Sequence, residues 1–104
     1  MKIFISLPMK GKTDDIIKRE QSKLFCKSIS YFPNERVELL NSFIDEEAPN
    51  QDRHPGLWYL GKSLEILAEA DFAVFAHDWK NARGCEIELK ACLEYGIPFV
   101  VMEE

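Results

Sequence analysis

Glu88 lies within the run RGCEIELKACLEYGIP, residues 83 to 98, and its spacing sets it apart from the other charges there. Wound as a helix at about 100° per residue, Glu86, Lys90 and Glu94 share one arc roughly 80° wide, an ordinary solvated face. Glu88 points the other way, into the arc of Gly84, Ile87, Ala91, Cys92 and Tyr95. A carboxylate on an inward helix face loses hydration and persists only when paired, hydrogen-bonded or lining a wet cavity. An ion pair with Arg83 or with a partner subunit would satisfy it, and so would a ligand cleft. Gly84 opens the helix at the edge where ligands bind, so Glu88, one turn in, is expected to face that cleft.

Two loops offer further chemistry. In HDWKNARG, residues 77 to 84, Asp78, Trp79, Asn81 and Arg83 directly precede the Gly84 helix. An indole gives a flat stacking surface for a base, and Asn and Arg give hydrogen bonds and charge to a sugar or phosphate. Trp58 is a second aromatic wall, although each tryptophan can equally pack on the domain's own surface. Asp78 is also a residue type that forms turns. In PMKGK, residues 8 to 12, a strand runs through Pro8, Met9, Lys10 and Gly11 towards a capped helix. Free amides at the positive end of a helix, with a lysine beside them, can hold an anion. The run matches neither common phosphate-loop motif, so a turn with solvated lysines explains it equally well. Ser6 and Ser42, at the ends of the first two strands, and Ser63, near the middle of an apolar helix arc, complete the substrate-binding set. Cys85 and Cys92 flank Glu88, but no histidine stands at a zinc spacing, and His77 reads as a loop residue, so no metal is expected. Cys85 near a helix start remains open as a thiol nucleophile, beside the commoner reading of a small buried thiol.

The elements that must position these residues alternate along the chain. Residues 2 to 7, KIFISL, read as a buried strand ending at Pro8. Thr13 with Asp14 and Asp15 starts a helix to about Ser30, with Ile17, Leu24, Phe25 and Ile29 as its buried stripe. Residues 36 to 41 form a second strand, and the charged, proline-containing stretch 45 to 56 a loop. Residues 57 to 70 form a helix with Lys62, Glu65 and Glu69 on one face and Tyr59, Leu60, Leu64, Ile66 and Leu67 opposite. Residues 71 to 76 make a third strand, 77 to 83 a loop, 84 to 95 the Glu88 helix, and 97 to 102 a last strand. This alternation predicts an α/β fold: a single-domain open parallel sheet of four to five strands with helices on both faces, Rossmann- or flavodoxin-like. Ligands of such sheets bind beyond the carboxyl ends of the strands.

The bulk composition bounds the function. At 104 residues, with 46% hydrophobic and 30% charged residues, one domain can bury a core without disulfides or metal. Thirteen basic against 18 acidic residues give a net charge of -5, which repels polyanions and argues against a nucleic-acid polymer as partner. The apolar run before Pro8 is too short for a signal peptide or membrane span, and three unpaired-looking cysteines fit a reducing cytoplasm.

The segments MKIFISLPMKGKTDDI, LWYLGKSLEILAEADFAVFA and WKNARGCEIELKACLEYGIP together resemble the nucleoside 2-deoxyribosyltransferase-like superfamily, particularly its short phage and bacterial proteins. The last segment resembles the pattern G-x-x-x-E-[IL]-x-x-A-x-x-x-G-[KI]-P through Gly84, Glu88, Leu89 and Gly96 to Pro98, with Ala91 as the small position and Cys92 one residue beyond it. The resemblance implies that Glu88 is a nucleophile at the anomeric carbon and that residues 8 to 11 cradle the sugar or 5′-phosphate. It further implies a nucleoside or nucleotide substrate, no cofactor, a homodimer and cytoplasmic action, in the host cytoplasm if the protein is phage-encoded. One position departs: the related enzymes carry an Asp eight residues before the acid that opens the third strand, and here that residue is Ser63. Either Asp78 or Asp45 substitutes for it, or catalysis is weak or absent. Three readings follow: a glycosyl-transferring or hydrolysing enzyme, a nucleotide-binding protein without turnover, and a protein-interaction module.

Overall fold

The computed structural model describes residues 1–103. It comprises β1 (Lys2–Ser6), α1 (Asp14–Ile29), β2 (Glu38–Leu40), α2 (Pro55–Leu67), β3 (Phe72–Phe75), a single 3₁₀ turn (Trp79–Asn81), α3 (Arg83–Tyr95) and β4 (Phe99–Val101). The four strands form one all-parallel sheet in the order β2-β1-β3-β4. The chain therefore has the open parallel α/β architecture expected of its strand–helix alternation. Among the described residues, no helix is long and apolar enough to cross a membrane.

Period-two alternation in β1 decides which side chains meet which helices. Ile3, Ile5 and Leu7 join Val74 and Met102 in a core covered by Ile17, Leu24 and Phe25 of α1. Phe4 points the opposite way, into a core shared with Ala73, Phe75, Leu67 of α2 and Cys92 of α3. Ser6, two residues after Phe4, continues on that second face and is fully buried. The only hydroxyl of β1 thus arrives at the carboxyl end of the strand beneath α2 and α3. There the strand order also turns back on itself, since β2 lies on one side of β1 while β3 and β4 lie on the other.

Local chemistry sets the helix ends. Thr13 caps α1, its hydroxyl accepting from the Ile16 amide at 3.3 Å. Gly96 ends α3 at φ 74, a left-handed conformation that costs glycine little. α2 begins two residues before the expected Leu57, because Pro55 is preorganised for the first helical turn. It ends at Leu67, short of the expected residue 70. The expected loop 77 to 83 contains the 3₁₀ turn, and the second and last strands shorten to three residues each.

Two buried stripes differ from expectation. Ile29 is 40% exposed, since α1 instead buries Ile17, Gln21 and Ser28. On α3 the buried residues are Cys85, Glu88 and Cys92, while Ile87 and Tyr95 stand 45% and 84% exposed. The helix is rolled relative to the expected arc, and Glu88 sits at the centre of its covered face. Phe75 anchors this second core, with edge-to-face contacts to Trp79 at 6.4 Å and Phe99 at 5.6 Å. Replacing it in Phe75→Ala should cost about 3–5 kcal/mol of unfolding free energy in urea titration. A loss below about 1 kcal/mol would show that the aromatic cluster does not hold the sheet to α3.

Candidate active site

Three elements bring one carboxylate and two hydroxyls together. Ser6 Oγ, from the end of β1, donates to Glu88 Oε1 at 2.6 Å. Ser63 Oγ, from α2, donates to Glu88 Oε2 at 2.5 Å. Glu88, 6% exposed, therefore has both oxygens satisfied, and no ion pair reaches it among the described residues. Burial raises its pKa above the ordinary 4.5, while the hydrogen bonds from Ser6 and then Ser63 pull the other way. Neutral donors stabilise the charged form without cancelling its charge.

The carboxylate borders a cavity of about 430 Å³, within the range of small-molecule sites, about 300–1,000 Å³. Its floor is the end of β1, from Phe4 to Leu7, with Met9 and Lys10 following. One wall is the segment after β2, through Ser42, Phe43 and Ile44; the opposite wall is α2 and the first turn of α3. α2 turns Gly56, Tyr59, Leu60 and Ser63 towards it, an i, i+3, i+4, i+7 face. A Cβ on Gly84 would meet Leu60 Cδ1 at 3.9 Å, an ordinary contact, so the approach of the two helices does not require glycine there. The floor is braced from behind: Gln21 Nε2 donates to Ser42 Oγ at 3.0 Å, which donates to the Ile5 carbonyl at 3.0 Å.

Of the residues expected at the site, Ser6, Met9, Lys10, Ser42, Ser63, Gly84 and Glu88 all line this cavity. Pro8 is buried beside it, and Gly11, at φ 81, shapes the following turn, where the Lys12 amide donates to the Met9 carbonyl at 3.2 Å. Lys12 is drawn away from an anion cradle by its 2.8 Å ion pair with Glu20.

The aromatic and polar contacts expected from 78 to 83 lie elsewhere. Trp79 packs on Phe75 of the core, and Asn81 and Arg83 are exposed and do not line the cavity. Arg83 makes no ion pair with Glu88, so the expected compensating charge is replaced by the serine hydroxyls. Asp78 borders a separate hollow with Lys12, Lys23 and Met102 and does not line this cavity, although its charge reaches Cys85 of the cavity wall; Asp45 is exposed outside the cavity. Trp58 stacks edge-on against Tyr59 at 5.1 Å and faces another groove, with Lys62 Nζ 5.5 Å from its ring. The aromatic wall is supplied instead by Tyr59 and Phe43. Their signal in the sequence was the helical spacing of Tyr59 to Ser63; Phe43 carried none.

The two buried thiols beside Glu88 are held in their protonated form. Burial pushes Cys85 up to about 11, with the Ser6 hydrogen bond opposing and the Glu88 charge adding to the rise. Burial and the same charge push Cys92 up to about 11. Among the described residues no cluster of His, Cys, Asp and Glu is arranged to hold a metal ion. Comparison with models of protein families, with curated proteins and with solved structures gives no match to this chain.

A raised folded-state pKa on an acid makes the folded state bind more protons than the unfolded chain between the two values. Native stability should therefore fall as pH rises from the ordinary 4.5 through the raised value of Glu88. Glu88→Gln removes that term, so urea titrations across pH should show the variant gaining on the native protein over this window and levelling above it. Parallel stability curves for the two proteins would mean that Glu88 titrates alike folded and unfolded.

Proposed function

We propose that this protein breaks or transfers the N-glycosidic bond of a deoxynucleoside or deoxynucleotide, with Glu88 as nucleophile. The observation that carries the reading is a buried carboxylate, bonded by two serine hydroxyls, at the wall of a ligand-sized cavity beyond β1. A carboxylate so placed can attack a sugar's anomeric carbon without first shedding a water shell. The resemblance of residues 84 to 98 to the deoxyribosyltransferase-like pattern gives the same acid the same role.

In this reading a Glu88 oxygen forms a bond to C1′ on the face opposite the base, while the C1′–N bond breaks and its electron pair leaves with the base. Ser6 and Ser63 hold the carboxylate in place, since each oxygen keeps a lone pair beyond the one that accepts a hydroxyl. Water or an acceptor base then takes C1′, and the carboxylate is regenerated. Tyr59 and Phe43 offer flat apolar walls for the base, and Lys10 offers a positive charge for a 5′-phosphate. A second reading, nucleotide binding without turnover, is favoured by Ser63, a hydroxyl where the related enzymes carry an acid.

Deoxynucleosides and their 5′-monophosphates, incubated with and without an acceptor base, separate the readings. Free base should appear with the native protein and fall by at least about 10³-fold in Glu88→Ala. Ligand binding without base release would establish the sequestering protein instead. The kcat/KM of the native enzyme should rise with pH along a limb set by Glu88 above its ordinary 4.5. Ser6→Ala, losing one donor to the charged form, should move that limb to higher pH. An unmoved limb would assign it to another group.

A further inference from the structure

The cavity joins a carboxylate that has no ionic partner among the described residues to a lining that holds no second carboxyl and no imidazole. Its charged lining residues are Glu88, buried, and Lys10, exposed to solvent where its charge is screened. The remaining polar side chains that face it are the hydroxyls of Ser6, Ser42, Ser63 and Tyr59 and the Cys85 thiol. Three of these are engaged: Ser6 and Ser63 donate to Glu88, and Ser42 donates to the Ile5 carbonyl. Tyr59 Oη accepts from the Ala48 amide at 3.2 Å, which leaves its own proton free, but a phenol is a weak acid at neutral pH. The acids that could have served, Asp78 and Asp45, lie outside the cavity.

A neutral nucleobase departs as an anion unless it is protonated, and a positioned acid contributes about 10²–10⁴-fold to such a step. A base that already bears a fixed positive charge departs neutral and needs no acid. The same charge is attracted by a desolvated carboxylate bonded only by neutral donors, beside the ring of Tyr59; at Phe43 one face is already taken by Lys18 Nζ at 4.9 Å. We infer that the substrates of this site are N-glycosides with a permanently cationic base: N7-alkylated purine nucleosides or pyridinium nucleosides. The inference rests on the glycosyl-transfer reading and narrows its substrate class.

The step balances without a co-reactant other than water. Glu88 Oε bonds to C1′, the C1′–N bond breaks, and its electron pair neutralises the cationic ring. Water then bonds to C1′, the ester C–O pair returns to Glu88, and the water's proton passes to solvent. Each turnover gives neutral base, free sugar and one proton.

The test compares N7-methyl-2′-deoxyguanosine, a 2-deoxyribosyl pyridinium salt and 2′-deoxyguanosine at slightly acid pH, with spontaneous loss subtracted. At least one cationic substrate should exceed the neutral one in kcat/KM by about 10²-fold or more, and which of the two does so identifies the base class. A readout without turnover uses 1-methylnicotinamide, whose methyl stands for C1′, against uncharged nicotinamide. The native protein should bind the cation about tenfold more tightly, and Glu88→Gln should bind both alike. Equal cleavage of neutral and cationic nucleosides would overturn the inference and leave glycosyl transfer standing. A cation preference that persists in Glu88→Gln would also overturn it. Cleavage of none of the three, nor of the wider nucleoside panel, would remove both.

Discussion

The structure is organised around a carboxylate taken out of water and held by two hydroxyls instead of a cation. Glu88 sits on the covered face of α3, and the bonds from Ser6 and Ser63 fasten that helix to the end of β1 and to α2. An uncompensated buried acid is a cost to stability. Three separate elements converge on this one, and none of them supplies an opposite charge. Structural ion pairs remove charge from the interior, whereas this arrangement keeps the carboxylate's charge available to whatever enters the cavity.

Sheet geometry explains why the cluster forms where it does. The alternation of β1 sends Ile3 and Ile5 towards α1 and sends Phe4 and Ser6 towards α2 and α3. A register shift of one residue would put an isoleucine under Glu88 and Ser6 under α1. Fully buried neighbours on β3, Ala73 to Phe75, pin that register through parallel pairing with Phe4 to Ser6. Behind the cavity floor, Gln21 and Ser42 tie α1 and the segment after β2 to the Ile5 carbonyl, so the platform for Ser6 is fixed from both faces. The thiols beside Glu88 follow the same electrostatics, staying protonated because burial and its negative charge both oppose ionisation.

Much of the fold could be read in the sequence because strand–helix alternation is written in local periodicity, and the strand ends placed Ser6, Ser42 and Lys10 at one edge. Glu88 was legible because a charge interrupts an apolar arc. What a helical wheel could not supply was the roll of α3 on the sheet: it favoured Ile87 and Tyr95 as covered, and packing chose Cys85, Glu88 and Cys92. The residues from 78 to 83 misled for a related reason. Proximity in sequence to Gly84 suggested proximity to the cleft, but the 3₁₀ turn presses Trp79 onto Phe75 and sends Asp78 to another hollow. Partners of Glu88 were hidden by distance, Ser6 being 82 residues away. Ser63 stands in the sequence as a missing acid, and only the packing of α2 against α3 makes it a donor to Glu88.

The central claim is electrostatic, and carbon-detected NMR of the Glu88 side-chain carboxyl tests it directly. Titrated across acid and neutral pH, its resonance should move with a midpoint above the ordinary 4.5, and should respond to a ligand that fills the cavity. A midpoint at or below 4.5 would contradict the account, because it would mean that Glu88 is solvated or paired with a cation.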